Sequence, residues 1–178
     1  MKKITEFLRI PKSRIGALIG KNGETKKRLE KELGCKITVS ESGEVDYSSR
    51  DPMNQLKLGS IIKAIGRGFT CDEALVLLDD DYALNVINLK EYALKSEKKL
   101  MRYKSRLIGT GGKSRKIIEE LSGATVVVSG KTISVIGKYD DADTAKEAIF
   151  MLIEGATHRK VRIFLERRSR AKRSMQAG

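Results

Sequence analysis

Residues 18–40 read LIGKNGETKKRLEKELGCKITVS, and residues 107–129 read LIGTGGKSRKIIEELSGATVVVS. The two stretches align without a gap, and each carries a G-x-x-G loop at the same point, Gly20 to Gly23 in the first and Gly109 to Gly112 in the second. The chain therefore contains an internal repeat. Its period of about 89 residues is longer than that of a solenoid repeat and suits a small domain, so we expect two related domains.

An acidic triplet, Asp79 to Asp81, lies between the two copies. Charged runs of this kind are typical of solvated linkers, and we place the boundary near residue 80. The sequence thus predicts one domain over residues 1–80 and another over residues 81–178.

Periodicity and turn residues predict a similar order of elements in both domains. In the first domain they predict strands over 5–10, 35–40 and 45–48, and helices over 13–19, 24–33 and 52–66, with a further helical stretch beginning near residue 72. In the second domain they predict strands over 82–89, 124–129 and 132–137, and helices over 96–107, 113–122, 142–153 and 157–172. The expected fold class is α+β, with a basic C-terminal helix added to the second domain.

The composition indicates a polyanion as partner. The chain has 36 Lys and Arg against 23 Asp and Glu, a net charge of +13 and a pI near 9.8, which favours nucleic acid. No apolar run approaches the length of a membrane span, and no signal-peptide core follows the N-terminus, so we expect a cytoplasmic protein with no membrane role. Cys35 and Cys71 make no metal-spaced pair, and we expect both to be reduced, with no metal and no cofactor.

The G-x-x-G loops suit phosphate binding. Two helices that meet at such a loop leave a sharp turn without a side chain at either end, so a phosphate can approach the amides that begin the second helix. The order strand, helix, G-x-x-G, helix, strand occurs twice in register, and this order resembles the KH module, whose loop clamps single-stranded nucleic acid. The resemblance implies two type I KH domains in tandem (β-α-α-β-β-α), each with a three-stranded antiparallel sheet packed on helices.

The KH resemblance also implies a groove for bases beside each loop. Apolar or small residues expected to line or underpin the two grooves are Ile15, Ile19, Thr25, Leu29 and Ile37 in the first and Ile108, Ser114, Ile118 and Val126 in the second. Plain core packing is the favoured alternative for Leu29, Ile37, Ile118 and Val126. Basic residues around the first loop are expected to contact phosphates, which makes the first set of RNA-binding candidates Lys12, Arg14, Ile19, Gly20, Lys21, Asn22, Gly23, Lys26 and Lys27.

The second loop has no basic residue between its outer glycines, but residues 98–116 contain eight basic residues and no acid. Crowded like charge of this kind favours a polyanion, so we expect the second domain to be the main binding surface. Its candidates are Arg102, Lys104, Arg106, Ile108, Gly109, Thr110, Gly111, Gly112, Lys113, Ser114, Arg115 and Lys116. The basic C-terminal run either extends this RNA track or forms a frayed, solvated tail.

Signs of catalysis are lacking in the sequence. Gly109 to Ser114 superficially resembles a P-loop, but two residues stand where that motif needs four. His158 is the only histidine, and it sits in a basic run without a partner constellation. The sequence predicts a binding protein with no catalytic residue and not an enzyme.

A small basic chain with Ile-Gly-Lys-Asn-Gly in one loop and Ile-Gly-Thr-Gly-Gly-Lys-Ser in the other resembles the archaeal relatives of a KH-domain pre-ribosomal factor. That family partners the endonuclease that matures the 3′ end of small-subunit rRNA. The resemblance implies binding of single-stranded 16S rRNA near its 3′ end, help in pre-rRNA processing during ribosome biogenesis, and protein partners among assembly factors such as this endonuclease. The alternative is a protein-interaction adaptor with secondary or nonspecific RNA binding, and the oligomeric state stays open.

Overall fold

The computed structural model describes residues 4–178, which form two compact units divided between Asp80 and Asp81. Unit 1 contains the strands β1 (Ile4–Arg9), β2 (Cys35–Val39) and β3 (Glu44–Ser49) and the helices α1 (Ile15–Ile19), α2 (Glu24–Leu33), α3 (Pro52–Arg67) and α4 (Cys71–Leu75). Short 3-10 turns cover Lys12–Arg14, Lys21–Gly23 and Val76–Leu78.

The sheet of unit 1 is antiparallel, in the order β1-β3-β2. Helix α2 ends at Gly34, whose φ of 55° is in the left-handed region that glycine adopts freely, and the chain turns directly into β2. Leu18, Leu29 and Ile37 bring α1, α2 and β2 into one core, and all three are fully buried. Asp51 begins α3 by accepting a hydrogen bond from the backbone N–H of Met53.

Unit 2 contains the strands β4 (Tyr82–Asn88), β5 (Thr125–Ser129) and β6 (Thr132–Lys138) in the antiparallel order β4-β6-β5. Its helices are α5 (Leu89–Ala93), α6 (Glu97–Ile108), α7 (Lys113–Ser122), α8 (Tyr139–Ile153) and α9 (His158–Ala177), and a 3-10 turn covers Thr110–Gly112. Buried residues of all three strands and of helices α5 to α9 form one hydrophobic cluster. Val161 and Leu165 anchor α9 in this cluster, where the helix packs against α7 and α8.

The α+β class and the tandem KH architecture that the sequence predicts are confirmed, and the structure gives α2 and α7 the bounds predicted for them. Helix α5 is an unpredicted element, since the sequence pattern extends the strand to residue 89. Asn88 instead caps a short helix by accepting from the N–H of Lys90, and Leu89 and Ala93 are buried beneath it. Positive φ values at Leu94 and Lys95 then turn the chain into α6.

Candidate nucleic-acid interface

The loop between α1 and α2 is a 3-10 turn flanked by unusual backbone angles. Gly20 has φ 76° and ψ 172°, Asn22 has φ 54° and ψ 25°, and Gly23 has φ 76° and ψ 13°. A Cβ at Gly20 would lie 2.3 Å from Oγ1 of Thr25 and 2.7 Å from its backbone nitrogen, so only glycine fits there. Asn22 stands in the left-handed region, which asparagine tolerates better than most residues.

The loop between α6 and α7 repeats this backbone closely. Gly109 has φ 69° and ψ 178°, Gly111 has φ 60° and ψ 24°, and Gly112 has φ 75° and ψ 11°. A Cβ at Gly109 would lie 2.7 Å from the Cβ of Ser114. Each loop leads directly into a ten-residue helix, and the backbone amides and dipole at the start of such a helix favour an anion.

Around the first loop, Lys12, Lys21 and Lys27 are exposed, as is Asn22. Lys26 is half-buried and lies 4.0 Å from Glu30, one turn further along α2. Ile19, Gly23, Lys26, Lys27, Glu30 and Val39 line a small cleft of about 290 Å³ between the loop and β2. The KH resemblance predicts that bases lie in this cleft.

The residues predicted to underpin the grooves divide into two groups. Ile15, Ile19, Thr25 and Ser114 are half-buried, and Ile108 is 37% exposed, so these side chains are available at the surface. Leu29, Ile37, Ile118 and Val126 are at most 1% exposed and belong to the cores, as the alternative interpretation held.

Most of the positive charge on the helices beside the second loop is not paired with a carboxylate of the described residues. Lys104 and Arg115 are half-buried, whereas Arg102, Thr110, Gly111, Lys113 and Lys116 are exposed. Arg115 lies 3.9 Å from Glu119 on the next turn of α7. Within residues 4–178, no carboxylate lies within ion-pair distance of Lys98, Lys99, Arg102, Lys104, Lys113 or Lys116. Four of these cations lie along α6 and two on α7, so a polyanion that followed these helices would not have to displace a protein carboxylate from them.

Arg14 and Arg106 have structural partners that argue against the phosphate contacts predicted for them. The guanidinium of Arg14 donates to the carbonyls of Ile65 and Phe69, both at 2.8 Å, at the end of α3. The guanidinium of Arg106 donates to the carbonyls of Leu152 and Ala156 at the end of α8. Each arginine thus holds the helix before its loop against the C-terminus of a long helix, where unpaired carbonyls attract a cation.

Glu30 and Glu119 are site residues that sequence reasoning missed. Oε1 of Glu30 accepts a hydrogen bond of 2.8 Å from the N–H of Ile37, and Oε1 of Glu119 accepts one of 2.7 Å from the N–H of Val126. Each carboxylate joins the helix after the loop to the strand that borders the groove. The signal was present, because the two glutamates coincide in the repeat alignment.

Helix α9 is an ordered part of unit 2, which excludes a frayed tail over its packed portion. Arg168 pairs with Glu147 at 2.9 Å, and Lys172 pairs with Asp141 at 2.5 Å. The ring of Phe164 lies beneath the guanidinium of Arg168, 5.6 Å from it. Arg159, Lys160, Arg167 and Arg173 are exposed, and none of them has an ion-pair partner in the part of the chain that the structure describes.

The two cysteines form no disulfide, and the single histidine lies against the backbone of α6. Cys35 and Cys71 are free thiols, and burial raises the pKa of both, that of Cys35 to about 11 with a further contribution from Glu30. A ring nitrogen of His158 lies 2.8 Å from the carbonyl oxygen of Arg106. No cluster of metal-ligating side chains and no helix suited to crossing a bilayer occurs within residues 4–178.

A three-stranded antiparallel sheet packed on helices, with a G-x-x-G turn between two of them, defines a KH-domain protein. Residues 5–53 match the KH domain family, and residues 83–170 match the family described as eukaryotic type KH-domain (KH-domain type I). A KH domain-containing protein of Methanocaldococcus jannaschii is 45% identical over 177 residues, which cover 97% of this chain and 78% of that protein. The chain belongs to this family of tandem KH-domain proteins.

Two further relatives carry names that describe a role. The pre-rRNA-processing protein pno1 of Schizosaccharomyces pombe is 31% identical over 127 residues, which cover 70% of this chain and 53% of that protein. A chain in the crystal structure of an a/eIF2alpha-aDim2p-rRNA complex from Pyrococcus horikoshii is 43% identical, with a TM-score of 0.87. The match covers 95% of this chain and 96% of that chain.

Proposed function

We propose that the protein binds single-stranded RNA with its G-x-x-G loops and that the target is small-subunit (16S) rRNA near its 3′ end, during ribosome biogenesis. The observation that carries this proposal is the second loop, whose backbone suits an anion and which joins two helices, α6 and α7, that together carry six cations without an ion pair inside residues 4–178. Each unit, 1–80 and 81–178, acts as one KH module, and the second supplies most of the affinity.

The relatives support the choice of RNA. One is named for pre-rRNA processing, and another was crystallised with rRNA and a/eIF2alpha. In the proposed role the protein holds the RNA while another factor cleaves it, so its protein partners are ribosome-assembly factors such as the 3′-end endonuclease. It acts in the cytoplasm and assists processing without catalysing it.

The test compares short RNA from the 3′ end of small-subunit rRNA with a shuffled RNA and with the matching DNA, at two salt concentrations. We expect tight binding of the cognate RNA that persists at the higher salt, because groove contacts add to the salt-sensitive phosphate contacts. Equal binding of all three that collapses with salt would instead identify a generic polyanion surface and favour the adaptor function.

Loop variants assign the binding to the two sites. Thr110→Asp with Gly111→Asp should weaken RNA binding about 100-fold, since hydrogen bonds to charged groups contribute roughly 1.5–3 kcal/mol each. Lys21→Asp with Asn22→Asp should cost a smaller factor, about 10-fold.

Gly130→Asp with Lys131→Asp, in the exposed turn between β5 and β6, is the control. It also places an aspartate at a glycine of positive φ, and its charge change is at least as large as that of either loop pair. An equal loss from this control, or no loss from either loop pair in a filter-binding assay, would contradict the proposal.

A further inference from the structure

Unit 2 has a cleft on the side of its G-x-x-G loop that faces away from β5. The cleft has a volume of about 920 Å³ and lies between the end of α6, the loop, α7 and the first half of α9. Glu119 lies on the opposite side of α7, because its carboxylate accepts a hydrogen bond from the backbone of β5. The cleft therefore lies on the side of α7 opposite β5, against a helix outside the six-element KH module.

Unit 1 has a different arrangement at the equivalent place. The repeat alignment sets Ile117 of α7 opposite Arg28 of α2. Arg28 is joined to Asp72 of α4 at 2.7 Å and to Glu32 at 3.0 Å, which ties this face of α2 to a short neighbouring helix. Ile117 instead faces the cleft, and the helix that follows α8 is α9, which has 20 residues where α4, the helix that follows α3, has five.

The lining of the cleft has two chemical parts. Ile108 and Ile117 provide partly exposed apolar surface, and Val161 and Leu165, which are almost fully buried, form the floor of the cleft. Lys113, Arg159 and Arg162 provide positive charge at its margin, and no Asp or Glu contributes to the lining. Of these cations, Arg162 is paired with Glu166 at 2.9 Å, whereas Lys113 and Arg159 have no ion pair within residues 4–178.

We propose that this cleft is a second nucleotide subsite, which takes the part of a single-stranded RNA that adjoins the nucleotides held on the second loop. The bases lie against the apolar surface, and the phosphates meet Arg159 and Lys113. The inference rests on the RNA-binding function proposed above and adds a place for the RNA beyond the KH groove.

Continuity and charge favour RNA over a protein segment as the occupant. Gly109, Thr110, Lys113 and Ser114 belong both to the loop region and to the lining of the cleft, so a strand held on the loop has its next nucleotide at the entrance. A lining of apolar groups and cations without carboxylates matches a base joined to a phosphate, and apolar contact with bases tolerates different sequences.

The test measures how affinity depends on RNA length. A four-nucleotide RNA fills the KH groove, and the same core is lengthened by four nucleotides on either side in turn. In the unmodified protein, one of the two extensions should tighten binding at least about 10-fold, which corresponds to roughly 1.4 kcal/mol.

Ser105→Trp fills the cleft from an exposed position of α6 without changing charge, and Arg159→Glu reverses an exposed cation at its margin. Ser105→Trp should abolish the gain from lengthening and leave binding of the four-nucleotide core within about twofold, and Arg159→Glu should reduce the gain. The matched control is Arg167→Glu, which changes another exposed and unpaired arginine of α9 outside the cleft and should keep the gain.

A second measurement locates the RNA directly. With 4-thiouridine in the favourable extension, irradiation should cross-link peptides from residues 158–165, and Ser105→Trp should remove this cross-link. Core binding without any gain from lengthening, or a gain that survives both cleft variants, would overturn the subsite alone. Failure of the core RNA to bind would overturn the RNA-binding function and the subsite together.

Discussion

The two units share a loop and differ in what surrounds it. The backbone angles of Gly20, Asn22 and Gly23 recur within about 10° at the equivalent positions of unit 2, although no side chain in the second loop repeats Lys21 or Asn22. The face of α2 that carries Arg28 is tied to α4, whereas the same face of α7 opens onto the cleft beside α9. The repeat thus preserves the geometry that suits phosphate, whereas the helix beside it differs, and under the proposed subsite this helix sets how much further RNA each unit holds.

Substitution of the first glycine in each G-x-x-G loop should have the largest effect on stability, and it tests whether the two loops are structurally equivalent. Gly20→Ala should lower the free energy of unfolding by about 4 kcal/mol and Gly109→Ala by about 3 kcal/mol, since both combine positive φ with a clash. Unit 1 should lose more because the added Cβ would meet Thr25 at 2.3 Å, against 2.7 Å for Ser114 in unit 2. Urea unfolding followed by circular dichroism measures the loss, and hydrogen exchange assigns it to a unit.

Gly23→Ala and Gly112→Ala are the controls for backbone strain. Both positions have a φ near 75°, but an added Cβ would find only ordinary contact at Gly23 and open space at Gly112. We expect each to cost only about 1–2 kcal/mol. Losses as large as those at Gly20 and Gly109 would show that the clash contributes nothing.

Arg14 and Arg106 stand at different positions of the repeat, and variants of them test whether both make the same stabilising contact with a helix end. Arg14→Met and Arg106→Met should each cost about 2 kcal/mol, because each removes charged hydrogen bonds from two carbonyls at a helix end. In the repeat alignment, Arg106 stands opposite Ala17, one turn away from Arg14. Adding Ala17→Arg to Arg14→Met should therefore recover at least half of the loss in a urea unfolding experiment.

Lys12→Met and Lys104→Met provide the comparison, since within residues 4–178 neither lysine side chain forms an ion pair and neither should change stability by more than about 0.5 kcal/mol. If the double variant is no more stable than Arg14→Met, the two arginines are not interchangeable anchors of the same contact.

The smallest expected difference between the units is in their loss of stability at alkaline pH. Cys35 has a pKa raised to about 11 and Tyr47 one raised to about 12, both in unit 1, and Ala124 stands in unit 2 where unit 1 has Cys35. A raised folded-state pKa stabilises the fold below the unfolded pKa, about 8.5 for cysteine, and that stabilisation is lost as pH rises through about 11.

Cys35→Ala should therefore flatten the decline in stability between pH 8.5 and pH 11 by about 1 kcal/mol, since the thiol is only half-buried. Urea unfolding at pH 8 and pH 10.5 provides the comparison. Parallel declines in the two proteins would show that Cys35 does not contribute to the alkaline loss.

Local signals made much of the fold predictable. Gly34 and Gly123 end α2 and α7 with positive φ, as helix-stopping glycines do, and the loop glycines set the start of each helix. Helix α5 was missed because five residues are too few for a periodic pattern, and the burial of Leu89 and Ala93 stabilises it instead.

Contacts distant in sequence limited the prediction of the site. Arg14 and Arg106 look like phosphate ligands beside their loops, and only the packing of α3 and α8 brings carbonyl groups to them. The cleft beside α9 depends on a helix outside the repeat, so the repeat alignment gives no sign of it. Glu30 and Glu119 did stand out as repeated residues, but their role depends on the distance from a helix to a strand.

The bonds from Glu30 to Ile37 and from Glu119 to Val126 also affect how separate copies of the chain behave. β2 and β5 are outermost strands of their sheets, and unpaired amides on such strands can pair with a strand from another molecule. In each unit, a carboxylate of the same chain already occupies one of these amides. Each module thereby carries a built-in obstacle to sheet extension and aggregation when no RNA is bound.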